Sequence, residues 1–386
     1  MNNIVYISPI SSRSGYGDCS RDIAKVLLNM HSDSLKFLNT KWGNCPTTGL
    51  KGASEFNNTI KSNTIIKPES DVDVTYQVAL PSEFKRLGKH NIGITAGLEF
   101  THWPNEFVNG CNEMDKVIVH SEFTKQLLID NKTKCTTDVR VIFQPVDEIY
   151  IKEQLNYNTH TCKMNNLLSG IEESFCFLSM GVFTKHNDRK NISKTVDVFQ
   201  KTFTDTDHNT ALVLKINGSR YNTRDLTYLQ SYIKDLNAKF HKPKSVYLLY
   251  GDFSKNEIKS LYTHSKIKSM ITLTHAEGFG RPLLEASVSS LPVIAPNWSG
   301  HVDFLPKKLT QLVGGKLEYV DNQIPYTTQE SLWFHPDTEE VSECILNTLQ
   351  NYDHHKKNAE ELSSINSKKY TQDNLQTLYK SVISDM

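Results

Sequence analysis

The chain has no excess of charge, no long apolar run and no paired-cysteine motif, and each absence removes a class of protein. Its 43 basic and 43 acidic side chains cancel, so it lacks the overall field of a protein whose main business is gripping nucleic acid. A local basic strip remains compatible with that balance. No uninterrupted apolar stretch approaches the roughly 18 residues that a membrane-spanning helix needs, which leaves only peripheral contact with a membrane open. The seven cysteines, at 19, 45, 111, 135, 162, 176 and 344, are odd in number, scattered and free of any C-x-x-C pair. Neither a disulfide framework nor a zinc site is therefore expected, and a reducing cytoplasm fits. Asn3 to Ser8 already read as a strand, with no basic n-region or apolar h-region before them, so no signal peptide is expected. Internal repeats and low-complexity tracts are absent.

At 386 residues the chain is long enough for two domains with separate cores. Strand-like and helix-like segments alternate from the start, which is α/β patterning. Strands are predicted at 4–8, 72–79, 92–96, 116–119 and 139–143, with helices at about 18–30 and 121–130. Residues 156–169 are polar and rich in asparagine, as a connecting segment is, and the boundary is set near 165. A second series runs through a strand at 175–181, a helix at 193–204, strands at 211–216 and 246–250, a helix at 257–264 and a strand at 269–274. This yields a Rossmann-like domain at 1–165, another at 166–370 and a terminal segment at 371–386 with helical spacing of Leu375, Leu378, Tyr379, Val382 and Ile383.

The most informative stretch is Glu277-Gly278-Phe279-Gly280-Arg281-Pro282-Leu283-Leu284-Glu285-Ala286. It follows an apolar strand and opens a helix. Pro282 suits the first helical position, where its missing N–H costs nothing. Gly278 and Gly280 can take positive φ and admit a ligand close to the backbone, so the N–H groups of 278 to 281 could converge on an anion or on hydroxyls, aided by the helix N-terminus. Glu277 sits before the helix and Glu285 in its first turn, so the two carboxylates reach different places. Each is an acceptor pair suited to neighbouring hydroxyls, while phosphates beside a carboxylate are electrostatically unfavourable.

Glu-x7-Glu enclosing Gly-Phe-Gly resembles the retaining family 4 glycosyltransferases of the GT-B fold, and Leu291 to Ala295 and Ser299 to Leu305 continue the likeness. Arg281 departs from the pattern, since the family usually carries an aliphatic residue there. The resemblance implies two Rossmann-like domains facing a central cleft, a nucleotide-diphosphate sugar as co-substrate and an acceptor hydroxyl. Donor-binding residues would be Gly278, Phe279, Gly280, Arg281, Leu283 and Glu285, with Glu277 at the sugar. The terminal helix would cross back onto the first domain.

Other residues are placed by the same patterning. Ser14-Gly15-Tyr16-Gly17-Asp18 is a glycine loop at a helix start, and in the family the matching loop faces the donor diphosphate. Arg189 and Lys190 lie between a strand and a helix, where cations would stabilise the departing diphosphate; Lys185 belongs to the same cluster. Glu99 and His102 share a loop after the strand at 92–96, and either could contact the transferred sugar. Trp103 could stack on a sugar or pack beside Pro104. Gly251 and Phe253 mark the neighbourhood of the nucleotide base. Asp71-Val72-Asp73 and Asp205-Thr206-Asp207 imitate a metal-binding Asp-x-Asp but read as accidental, so no metal or other cofactor is expected. The acceptor stays open among glycan, lipid, protein, small molecule and modified nucleic acid, including a hydroxymethylated DNA base. Alternatives are a sugar-nucleotide epimerase on the same domains and a noncatalytic carbohydrate-binding protein.

Overall fold

A computed structural model of the chain describes residues 3–68, 70–151, 159–184, 188–218, 223–321 and 324–384. It divides into two compact units. The N-terminal unit comprises Met1–Pro145, Val320–Ser331 and Tyr370–Met386, and the C-terminal unit comprises Val146–Tyr319 and Leu332–Lys369.

The N-terminal unit is built on a six-stranded sheet of β1 (Ile4–Ser8), β2 (Leu35–Asn39), β3 (Val74–Val78), β4 (His90–Thr95), β5 (Lys116–Val119) and β6 (Asp138–Val141), in the order β2-β1-β3-β4-β5-β6. Every pairing is parallel, so the strands are joined by crossovers: α1 (Gly15–His31), α2 (Glu55–Ser62), α3 (Asn105–Asn112) and α4 (Glu122–Ile129). Short apolar strands such as β1 are buried on both faces, with Ile4, Val5 and Tyr6 fully covered. Ser14 starts α1 by accepting the Gly17 N–H at 3.1 Å. The terminal helix α13 (Gln372–Ser384) belongs to this unit and places Leu375, Tyr379 and Val382 in one core with Ile4 and Tyr6 of β1.

The C-terminal unit holds a second six-stranded parallel sheet, ordered β12-β11-β10-β7-β8-β9. Its strands are β7 (Phe175–Phe183), β8 (Thr210–Gly218), β9 (Ser245–Tyr250), β10 (Ile267–Ile271), β11 (Val293–Pro296) and β12 (Gln311–Val313). The crossovers include α7 (Ile192–Phe203), α8 (Arg224–Asn237), α9 (Lys255–Tyr262) and α10 (Arg281–Val288). β8 and β9 lie on one side of β7, and β10 to β12 on the other. The order therefore reverses between β7 and β10, and the loops leaving their carboxyl ends flank the position where doubly wound sheets bind ligands. An antiparallel hairpin, β13 (Gly315–Tyr319) with β14 (Leu332–Pro336), and the helices α11 (Thr338–Gln350) and α12 (Tyr352–Lys369) complete the unit.

Several segments differ from the sequence reading. Residues 146–151, which include α5 (Glu148–Ile151), and α6 (Thr159–Ser169) belong to the C-terminal unit, before the boundary expected near 165. The asparagine-rich segment expected as a linker is helical from 159 onward, because Met164 and Leu168, one turn apart, are buried; residues 156–158 of that segment lie outside the described residues. Val320–Ser331, between β13 and β14, belongs to the N-terminal unit, where Ser331 Oγ donates to the His102 carbonyl at 2.9 Å and Tyr326 packs edge-on to Phe107. Among the described residues no helix is long and apolar enough to cross a membrane.

Candidate functional site

The loops after β7 and β10 meet around Glu277. Its carboxylate is nearly buried and pairs with Lys190 Nζ through Oε1, while Arg189 Nη1 lies 3.7 Å from Oε2. Arg189 is tied to the same loop twice, donating from Nη1 to the Ala276 carbonyl at 2.6 Å and accepting the His275 N–H at 2.9 Å. Asp188 fixes the turn by accepting the Ile192 and Ser193 N–H groups at the start of α7, with Asn191 in the left-handed region at φ 55°. Burial alone would raise the Glu277 carboxyl, but the Lys190 and Arg189 charges outweigh it and hold the group down at about 2. Lys185 lies outside the described residues.

The backbone of the signature is braced from β11. The Glu277 N–H donates to Ser299 Oγ at 2.9 Å, and the Gly300 N–H donates to the Glu277 carbonyl at 2.9 Å. His301 Nε2 donates to the Pro296 carbonyl at 2.7 Å, which leaves its Nδ1 as the acceptor facing Ser299 Oγ at 3.4 Å. Gly280 takes φ 92° as expected of it, whereas Gly278 is not among the positive-φ glycines. Arg281, not Pro282, is the first residue of α10. Phe279 and Leu283 are buried, Phe279 against Phe304, so their side chains serve packing and any contact they make with a donor runs through the backbone. Glu285 belongs to a separate network, 3.4 Å from both Arg281 Nε and the buried Tyr262 hydroxyl. Arg281 thus orients the second glutamate by an i, i+4 pair.

Sequence reasoning missed Ser299, Gly300 and His301 as braces, although they fell within the quoted likeness. It also missed Lys215. This buried lysine at the end of β8 donates to the Gly251 carbonyl and to Asn217 Oδ1, both at 2.8 Å, and lies 5.2 Å over the Phe253 ring. A lysine inside an otherwise apolar strand was the signal available. Gly251 takes φ 113° and turns the chain there.

His275 was missed as well. Its Nδ1 donates to the Phe334 carbonyl at 2.8 Å and its ring stacks on Trp333 at 4.7 Å. Burial pushes its imidazole from 6.5 down to about 4, against the raising effect of the Phe334 bond. A histidine depressed in this way makes the unfolded chain the better proton binder, so its contribution to stability is complete above about 6.5 and is lost as the pH falls toward 4. We expect thermal stability to fall between pH 7 and pH 5 by about 2 kcal/mol on its account. In a His275→Gln variant the profile in that window should be flatter, and an unchanged slope would rule the assignment out.

In the N-terminal unit, Gly15, Tyr16 and Gly17 form the first turn of α1 at the carboxyl end of β1. The order of this sheet reverses between β1 and β3, so this turn too stands at a switch point. A Cβ on Gly17 would meet the Ser12 carbonyl oxygen at 2.1 Å, whereas nothing lies within 4 Å of one on Gly15. Gly17 is required by packing; Gly15 keeps space open. The Tyr16 hydroxyl reaches Thr95 Oγ1 at 3.1 Å and accepts the Ala96 N–H at 3.1 Å. Burial raises that phenol, and the Glu99 charge adds to it, so Glu99 shares the surroundings of the glycine turn. His102 has Nδ1 3.0 Å from Thr101 Oγ1, and its carbonyl accepts from Ser331 Oγ at 2.9 Å. Trp103 is buried, bonding through Nε1 to the Leu98 carbonyl at 3.3 Å, and is a packing residue.

Solved structures share this architecture. HepE from Anabaena, crystallised in complex with UDP and glucose, is similar over 100% of both chains at 12% identity, with a TM-score of 0.65. A glycosyltransferase from Rickettsia africae ESF-5 matches over 99% of this chain and 98% of its own at 14% identity, with a TM-score of 0.68. Sucrose-phosphate synthase from Thermosynechococcus elongatus matches over 100% of both chains at 13% identity, with a TM-score of 0.65. At such identities the likeness is one of fold, and no curated protein matches the chain by sequence. Two six-stranded parallel sheets of this order are the GT-B fold, which these structures share. More narrowly, the model of the family described as "Family 4 Glycosyltransferase in conflict systems" matches residues 161–376, more than half of the chain, and the chain belongs to that family.

Proposed function

We propose that the chain is a retaining glycosyltransferase that takes a hexose from a nucleotide diphosphate and passes it to an acceptor hydroxyl without a metal ion. The observation that carries this reading is the packing of Lys190 and Arg189 on Glu277 beside the Gly-x-Gly turn, at the point where the strand order reverses. In the reaction the bond from the anomeric carbon to the diphosphate oxygen breaks, and a bond from that carbon to the acceptor oxygen forms on the same face. The acceptor proton passes to the departing diphosphate oxygen, so no carboxylate nucleophile is required. Lys190 and Arg189 meet the negative charge that grows on the diphosphate, in the role a metal ion has elsewhere, and the start of α10 adds positive partial charge. Glu277 accepts hydrogen bonds from sugar hydroxyls and Glu285 from the ribose. Gly251 and Phe253, beside Lys215, take the base. Of Glu99 and His102, Glu99 is the one that shares its surroundings with Tyr16 of the glycine turn.

UDP-glucose is the first donor to try, since HepE was crystallised with UDP and glucose. A panel of sugar nucleotides with the parent chain, Glu285→Ala and Arg189→Ala tests the reading. The parent should be stabilised by its donor and should transfer the sugar with the anomeric configuration kept; both variants should lose most of that. Unchanged binding and turnover in both would remove the assignment. An isomerised donor formed without acceptor would make the chain an epimerase, and an inverted anomeric centre would exclude the retaining course.

A further inference from the structure

The N-terminal unit carries an aromatic pair with one ring packed on the core and the other outside it. Tyr16, in the first turn of α1, and Trp42, in the turn after β2, stack with ring centroids 3.8 Å apart and planes 19° from parallel. Tyr16 is fixed from two directions: its ring packs against the core of the unit, and its hydroxyl is held by Thr95 and the Ala96 N–H. Trp42 is different. It is partly exposed and belongs neither to that core nor to the partly buried residues packed on it. Stacking on Tyr16 covers one face of the indole, and part of the ring system stays accessible. Its orientation is set by stacking on Tyr16, whose hydroxyl those bonds hold.

The backbone flanking the pair is open. Gly15 precedes Tyr16 and Gly43 follows Trp42, and at both positions a Cβ would meet nothing within 4 Å. The Glu99 carboxylate lies close enough to act on the Tyr16 phenol. A rigid aromatic face, open space beside it and a carboxylate able to accept paired hydroxyls together fit a ring that is apolar on its face and hydroxylated at its edge.

We propose that Trp42, backed by Tyr16, is a carbohydrate-binding platform on which a pyranose ring lays its C–H face. On the proposed function this sugar is the acceptor, and the platform thereby narrows the acceptor class to glycosides. The platform itself is tested by binding and not by turnover, so failure of the transferase reading leaves it standing and the reverse also holds. Arg13 and Lys41, exposed and close in sequence to Tyr16 and Trp42, make a nucleic acid strand the rival occupant.

The experiment is saturation-transfer NMR of the full chain with a panel of methyl glycosides and disaccharides, without nucleotide. Ring protons of one sugar face should receive saturation. Trp42→Leu, which keeps apolar bulk but removes the flat face, should weaken that binding about tenfold, the factor that one lost aromatic stacking contact implies. Trp42→Phe should retain it within about threefold on the same scale. Circular dichroism of each variant establishes that it is folded. No saturated glycoside in the panel, binding unaffected by Trp42→Leu, or displacement of the glycoside by an oligonucleotide carrying 5-hydroxymethylcytosine would each overturn the proposal.

Discussion

Lys190→Ala is expected to lower kcat/KM for the sugar nucleotide by about 10²–10³-fold, the scale on which removal of one preorganised charge-stabilising group acts. The same substitution should cost stability, because it leaves the nearly buried Glu277 carboxylate with only the more distant Arg189. Breaking a buried pair from one side costs roughly 3–5 kcal/mol, an upper figure here because Arg189 remains and both partners keep some exposure. The two effects separate in the double variant Lys190→Ala with Glu277→Gln. Neutralising the carboxylate removes the uncompensated charge, so stability should return. Activity should stay low if Lys190 meets the charge on the leaving diphosphate. Recovery of activity together with stability would show that Lys190 serves only to neutralise Glu277, and the mechanism proposed above would fail. The geometry favours a lysine placed with care: Gly181 lies under its aliphatic stem, where a Cβ would stand 2.8 Å from Lys190 Cγ.

What could be seen in the sequence depended on how local its cause is. β1 and β5 were readable with the bounds they have, since each is a short β-branched run buried on both faces. The glutamates, the Gly-x-Gly turn and the helix behind them follow from residue types within ten positions. The pairing of Arg189 and Lys190 with Glu277 spans almost ninety residues, and only the alternation of strands and helices suggested that their loops meet. β2 was missed because Leu35–Asn39 is short and half polar, and its place is set by pairing with β1. Neither the β13–β14 hairpin nor the return of 320–331 to the N-terminal unit has a local signature, as both depend on distant partners. The braces on Glu277 were hidden for another reason. Serine, glycine and histidine at 299–301 are ordinary loop residues until the backbone brings them against 277.

That brace supplies the second large effect. Gly300→Ala should destabilise the chain by about 1–3 kcal/mol, the usual cost of overpacking, and should weaken donor binding as well. The strain does not come from φ, since Gly300 is not among the positive-φ residues. It is steric: the new Cβ would lie 2.3 Å from the Gly278 carbonyl oxygen and 2.9 Å from that of Glu277. Both obstacles are backbone, so no side chain can swing aside. The loop must move instead, carrying Glu277 away from Lys190 and breaking the Gly300 N–H bond to the Glu277 carbonyl. Gly15→Ala is the matched control, because it meets nothing within 4 Å and sits in the first turn of α1 without positive φ. It should be neutral or slightly stabilising, through the lower entropy of the unfolded chain. Melting curves of the two variants, with and without UDP, read both consequences in one assay. Gly300→Ala should melt lower and respond less to UDP than the parent. If it melts with the parent and responds equally, the brace does not hold the glutamate, and the rigidity assigned to the signature loop has another source.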